Sequence, residues 1–349
     1  MRSTRVTDFA SLITQTVRDA AWLPHRYDPG HDAVHFQHVP RDVHRKAVFA
    51  TDEHLPADAE KRVLRREDVI GAVPDEAPMH FIFHSAFCCS TLLARVFDRP
   101  GWAMGLKEPV ILNDLVGWRR RGGDPRTVAM VLDHSLRLLG RPFDPGEAIV
   151  IKPSNIVNSL ATAMLAMRPS ARALLLHAPL PTYLTSVAKK GMQGRLWVRD
   201  GLVGMLQDGS ISFGFDQKDY LGQTDLQVAA IGWLAQHAIF AGLIARFGPD
   251  RVRSLDSETL LARREDAVRA LTAHYGMPLT EADLSELAHG PVFHRHSKLG
   301  TDFASTDRNQ EYRDAASAHG DEIDKVVRWA MAVAESAGVP MVLDSPLVA

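Results

Sequence analysis

Cysteine is nearly absent: the 349 residues hold only two, adjacent at Cys88 and Cys89. That excludes a disulfide framework and suits a reducing compartment. A charge of one sign is missing too. Forty basic against 42 acidic side chains leave a formal charge of −2, so there is no electrostatic footprint for nucleic acid or an anionic membrane. No apolar run reaches the roughly 20 residues of a membrane helix, and the charges in "RSTRVTDFASLITQTV" after Met1 break up a signal-peptide core. The expectation is a cytoplasmic protein with no membrane span. Metal motifs are lacking as well. His25, His31, His35, His38 and His44 have no His-x-His, H-E-x-x-H or second cysteine pair beside them, and they read as part of a polar cap. No metal is expected.

What is present is an alternation. From Met79 to about Leu255 the short apolar runs "HFIFH", "AMGLK", "AIVIK", "ARALLLH" and "RVRSL" are separated by helical patterns at 124–139, 155–167 and 224–247. Strands alternating with helices predict an α/β fold, a parallel sheet flanked by helices. Before it, residues 1–75 show one helical pattern, about Val6 to Trp22, and then a stretch dense in Pro, Asp and His that reads as irregular. After it, helices are expected at 258–274, 280–287 and 320–337, around a charged loop "HGPVFHRHSKLGTDFASTDRNQEYR". The division expected is an N-terminal cap or lead-in, 1–75, and one α/β domain, 76–349.

The stretch "HFIFHSAFCCSTLLARVF", 80–97, reads as a buried strand, a loop of Ser85, Ala86, Phe87, Cys88, Cys89 and Ser90, and a helix carrying Thr91 in its first turn. A helix starting at the carboxyl end of a parallel strand aims free N–H groups at an anion. The Walker form is absent, since neither glycine nor lysine lies between His84 and Thr91. Other strand ends carry polar groups of their own: Lys107 and Glu108 in "GLKEP", Lys152 in "IVIKPSN", and His177 in "LLLHAPLPTYLTS" with Thr185 and Ser186 on the next helix. The two lysines could serve as ammonium donors to phosphate or sulfate oxygens.

This set resembles the sulfotransferase family. There a loop of the form P-[RK]-S-G-T-[ST] between strand and helix binds the 5′-phosphosulfate of the donor. "SAFCCSTLL" takes that place: Ser90 and Thr91 match the hydroxyl pair, Leu92 and Leu93 the apolar start of the helix. A family strand ending in Arg-Asp-Pro, with a serine on the helix beyond, binds the 3′-phosphate. Here His177 stands for the arginine, Pro179 matches, and Ser186 lies within one residue of the serine. "RHSKLG", 295–300, echoes a late basic loop and offers Arg295, Ser297 and Lys298. The resemblance covers roughly residues 79–190 and implies a P-loop-type fold with 3′-phosphoadenosine 5′-phosphosulfate as donor co-substrate. Two loop positions depart from the pattern, Phe87 for the basic residue and Cys89 for the glycine.

Sulfuryl transfer needs cationic stabilisation of oxygens, for which Lys107 and Lys152 are the candidates, and a base for the acceptor. Glu108 is the candidate base, and some family members use a glutamate shortly after the donor loop. Its plainer reading is a helix N-terminal acid. The acceptor is expected to be a small molecule with a hydroxyl or amine. Aromatic residues between Lys190 and Phe247, Trp197 and Trp233 among them, suit a lipophilic acceptor slightly better than a charged polysaccharide. Two other classes stay open: a phosphotransferase with a degenerate loop, for which Asp256 would be the Mg²⁺ carboxylate, and a non-catalytic scaffold. Nothing in the sequence fixes an oligomeric state.

Overall fold

A computed structural model describes residues 8–211, 213–277, 279–290, 293 and 305–348, with the side chains of 217 and 305–318 left aside. Eight strands are present among them. β1 (Trp22–Asp28), β2 (Ala33–His38) and β3 (Lys61–Arg65) form an antiparallel sheet in that order. β4 (Met79–His84), β5 (Ala103–Lys107), β6 (Ala148–Lys152), β7 (Ala173–His177) and β8 (Val252–Asp256) form a second sheet in the order β5-β6-β4-β7-β8. These five are the expected strands. Their pairings are parallel, helices flank them, and the carboxyl-terminal part is helical, so the α/β expectation holds. Residues of β4 to β7 are buried throughout, as strands covered on both faces must be, which is why they read as continuous apolar runs.

The chain groups into two compact units, Met1–His80, Ala94–Ser154 and Ala163–Ala171 in the first, Phe81–Leu93, Asn155–Thr162 and Arg172–Ala349 in the second. In the first unit the helix Phe9–Arg18 precedes the three-stranded sheet. The stretch expected to be irregular is therefore partly a sheet. Its register slips between Pro24 and Arg26, a bulge that puts His25 and Arg26 on one side, where both reach Asp52, His25 Nε2 at 2.7 Å and Arg26 Nη1 at 2.6 Å. The helix Pro125–Leu139 starts as the sequence suggests, with Pro125 in its first turn and the Asp124 carboxylate accepting from Thr127 N–H. Arg141, just beyond it, is buried and donates to the carbonyls of Leu138, Thr16, Asp19 and Trp22. Gly105 on β5 is needed for close approach: a Cβ there would lie 2.5 Å from the Ala94 carbonyl oxygen.

In the second unit β7 pairs with residues 81–84 of β4 on one side and with β8 on the other. The helix Asp225–Phe247 has a capping box from Thr224 and Gln227. Contrary to the expectation that no apolar run reaches such a length, it is the one helix among the described residues long and apolar enough to cross a membrane, and 67% of its apolar window is buried in the fold. The final helix runs Ser305–Ala337; its start lies inside the stretch expected to be a charged loop.

Candidate functional site

The loop after β4 is where the backbone departs most from ordinary geometry. Ala86, Phe87 and Cys89 have φ of 71°, 51° and 64°, the left-handed region, and none is glycine. Each such residue costs about 1–2 kcal/mol, so the surroundings must hold them. They do so from several directions. Ser85 N–H donates to the Leu176 carbonyl at 3.1 Å, and the Cys88 thiol reaches the same oxygen at 3.3 Å. Ala86 N–H donates to His84 Nδ1 at 3.0 Å, which leaves Nε2 as the protonated nitrogen of a neutral His84 ring. Asn158 donates to the His84 carbonyl at 3.0 Å and is itself tied to Gln236. The Phe87 ring stands edge-on to Trp197 at 5.2 Å and tilted to Tyr183 at 5.7 Å.

Left-handed residues alternating with ordinary ones turn successive N–H groups to one side, an anion-binding concavity. Cys88, at negative φ, separates Phe87 from Cys89. The N–H groups of Phe87, Ser90 and Thr91 donate to no main-chain carbonyl among the described residues. Ser90 and Thr91 are buried at the start of the helix Ser90–Val96. Replacing Cys89 by glycine should remove one left-handed penalty and stabilise the fold by about 1 kcal/mol, read as a raised thermal midpoint. Cys88→Gly, at a buried position of ordinary φ, should lower the midpoint. A fall for both variants would discount the strained loop.

The second unit also contains His177 and Ser186. His177, at the end of β7, is buried. Its ring meets His237 at right angles, 4.9 Å between centroids, and its Nδ1 has no hydrogen-bond partner. Burial holds its pKa below the ordinary imidazole value, against the pull of Asp256. Ser186 is buried and its hydroxyl donates to the Thr182 carbonyl at 2.9 Å. Arg295, Ser297 and Lys298 lie outside the described residues. Asp256, the candidate Mg²⁺ carboxylate of the phosphotransferase reading, caps its own helix by accepting from Glu258 and Thr259 N–H, which accounts for its carboxylate by a local structural role.

The first unit holds the strand-end lysines and Glu108. Lys107 is 1% exposed, and its ammonium donates to Asp98 at 3.0 Å and to the His44 and Arg45 carbonyls, both at 3.1 Å. Those carbonyls belong to the last turn of the helix Arg41–Lys46, where a cation is favoured. Three N–H groups thus meet three protein acceptors. Burial lowers the Lys107 pKa while Asp98 raises it. Lys152, equally buried, pairs with the Glu108 carboxylate, and its ammonium lies 5.0 Å from the centre of the Phe49 ring. Glu108 itself has φ of 54°, and its N–H donates to the Lys152 carbonyl at 2.7 Å. It stands at the strand end, before Pro109 and the helix Val110–Arg120.

An open cavity of about 410 Å³ also lies in the first unit, by Arg26 and Asp114. Its main charges satisfy each other, since Arg26 grips Asp114 through both Nε and Nη2. Among the described residues no group of three or more His, Cys, Asp or Glu could hold a metal ion. The residues that sequence reasoning missed are the loop's supports, Asn158, Gln236 and Tyr183. Each belongs to an apolar helical pattern that gives no hint of its target.

No family model matches the chain, and no curated protein matches it. Among solved structures the chain is similar to the sulfotransferase domain from the curacin biosynthetic pathway, with 11% sequence identity and a TM-score of 0.40 over 70% of this chain and 98% of that one.

Proposed function

We propose that the chain is a sulfuryl transferase, which takes the sulfuryl group of 3′-phosphoadenosine 5′-phosphosulfate to a hydroxyl or amine of a small acceptor. The observation that carries the reading is the loop Ser85–Cys89: three left-handed, non-glycine residues after β4, followed by a helix whose first hydroxyls are Ser90 and Thr91. Strain of this kind persists where it serves a site. β4 is also the first strand of its sheet and lies at its centre, with later strands on either side, and ligands of open α/β sheets bind beyond the carboxyl end at such a switch point.

In this reading Ser85 to Thr91 hold the phosphosulfate, and His177 and Ser186 belong to the 3′-phosphate. The loop has no cation of its own, but the Lys190 ammonium lies 5.9 Å from the centre of the Phe87 ring and can serve as one. The acceptor oxygen or nitrogen forms the new bond to sulfur, the bond from sulfur to the bridging oxygen breaks, and 3′,5′-diphosphoadenosine leaves. Glu108 is assigned the acceptor proton. Lys107 is assigned to the framework, and Lys152 to holding Glu108.

The test is a comparison of thermal midpoints in buffer, with 3′,5′-diphosphoadenosine, and with ATP–Mg²⁺. At 100 times its dissociation constant a ligand stabilises by about 2.7 kcal/mol, and the diphosphate alone should do so. A rise with ATP–Mg²⁺ only would favour the phosphotransferase. No rise with either would remove the donor from the account.

A further inference from the structure

The helix Gly191–Gln207 of the second unit is buried on one side only. Gly194, Val198, Leu202 and Gly204 face the fold. On the other side Met192 is 69% exposed, Leu196 56%, Val203 55% and Leu206 40%. With Arg199 between them, these positions advance by four, three, four and three residues, the stripe of a helix that packs lengthwise along another helix. A contiguous apolar stripe left in water marks an interaction surface.

The stripe also identifies its partner. About a point between Arg199 and Asp200 its apolar positions repeat to within one residue in both directions. Laid antiparallel on a copy of itself about that point, Leu196 faces Val203 and Arg199 faces Asp200, while Met192 falls opposite Gln207, one residue beyond Leu206. An isologous two-fold contact requires that every residue meet its complement twice, and this helix provides it with apolar residues outside and opposite charges at the axis. Arg199 uses Nε for Asp225 and Nη2 for the Gln223 carbonyl, which leaves Nη1 for a second carboxylate. Asp200 is exposed and makes no ion pair among the described residues.

We propose that the chain forms a two-fold dimer through antiparallel pairing of helix Gly191–Gln207 with the same helix of a second copy. The proposal is independent of the reaction assigned above. It does bring the partner next to a helix that supports the loop, because Trp197 stands against Phe87. A helix pair about 25 Å long is a short contact, so the dimer should dissociate on dilution.

Sedimentation equilibrium of the full chain tests it. The parent should move from 38.5 kDa towards twice that mass as its concentration rises through the micromolar range. Leu196→Asp and Val203→Asp should each weaken association tenfold or more, with an unchanged far-ultraviolet circular dichroism spectrum. A parent that is monomeric throughout, or dimers that both variants leave intact, would overturn the proposal. If either variant misfolds, cross-linking decides the matter. Asp200→Cys, beside the axis, should give a covalent dimer with oxidised glutathione, and Met192→Cys, far from its own mate, should not. Equal cross-linking of the two would show parallel pairing and overturn the antiparallel arrangement.

Discussion

Glu108→Gln is expected to lower sulfuryl transfer by on the order of 10²–10⁴-fold, the usual worth of a positioned general base, and to lower thermal stability at the same time. The second effect follows from Lys152. It is 1% exposed and its ammonium pairs with Glu108, so removing the carboxylate charge leaves a buried cation without its counter-ion. Breaking such a pair from one side costs about 3–5 kcal/mol when both members are fully buried. Glu108 is 19% exposed and glutamine keeps an oxygen as acceptor, so the loss should fall below that range. Adding Lys152→Met removes the stranded charge and should recover most of the stability. The rate should not recover. Thermal midpoints and turnover, with an acceptor found by screening phenols, alcohols and amines, separate the two roles. If the double variant regains the parent rate together with the parent stability, Glu108 is only the counter-ion of Lys152 and the base lies elsewhere. His84 is a poor substitute through Nδ1, which already accepts from Ala86 N–H.

The strands of the parallel sheet were legible because both of their faces are covered. "AIVIK" and "ALLLH" contain no residue that must meet water before the last one, and a run of that kind has few other solutions. The N-terminal sheet was not legible for the opposite reason. β1 contains Pro24, His25, Arg26 and Asp28, and its bulge at His25 destroys the two-residue period by which a half-buried strand is recognised. A lysine at a strand end looks the same in sequence whether it meets a ligand or a carbonyl. For Lys107 two of the three acceptors are the carbonyls of His44 and Arg45, about 60 residues away in the chain, a distance over which a local pattern carries no information. The loop was placed correctly between strand and helix, but its left-handed backbone was hidden by the absence of glycine, the residue by which such turns are read.

Acid is expected to unfold the chain through its buried histidines, and His237 is the one with most at stake. Its side chain is fully buried, stacked on Trp233 at 3.5 Å between centroids, with Nδ1–H directed to the Pro340 carbonyl at 3.3 Å. Nε2 is buried without a partner. Burial first, and the neighbouring His177 second, bring its pKa down to about 3, with the Pro340 bond opposing. His177 is lowered by the same burial, and in the first unit burial takes His44 to about 4. The sign follows from which state binds the proton. Once unfolded, each ring takes up a proton near its ordinary value of about 6.5, whereas the folded chain keeps it neutral. Stability is therefore complete above pH 6.5 and erodes as pH falls from there towards the folded values. Each such histidine contributes about 1.4 kcal/mol for every pH unit in that window. Urea unfolding at intervals between pH 7 and 4.5 should show this slope, and His237→Phe, which keeps a ring on Trp233, should reduce it by about one proton. The same variant at pH 7 should lose only the bond to Pro340, about 1 kcal/mol. A slope that His237→Phe leaves unchanged would mean that His237 is already able to take a proton in the folded chain, and the buried, unpartnered Nε2 would then be the wrong description of that ring.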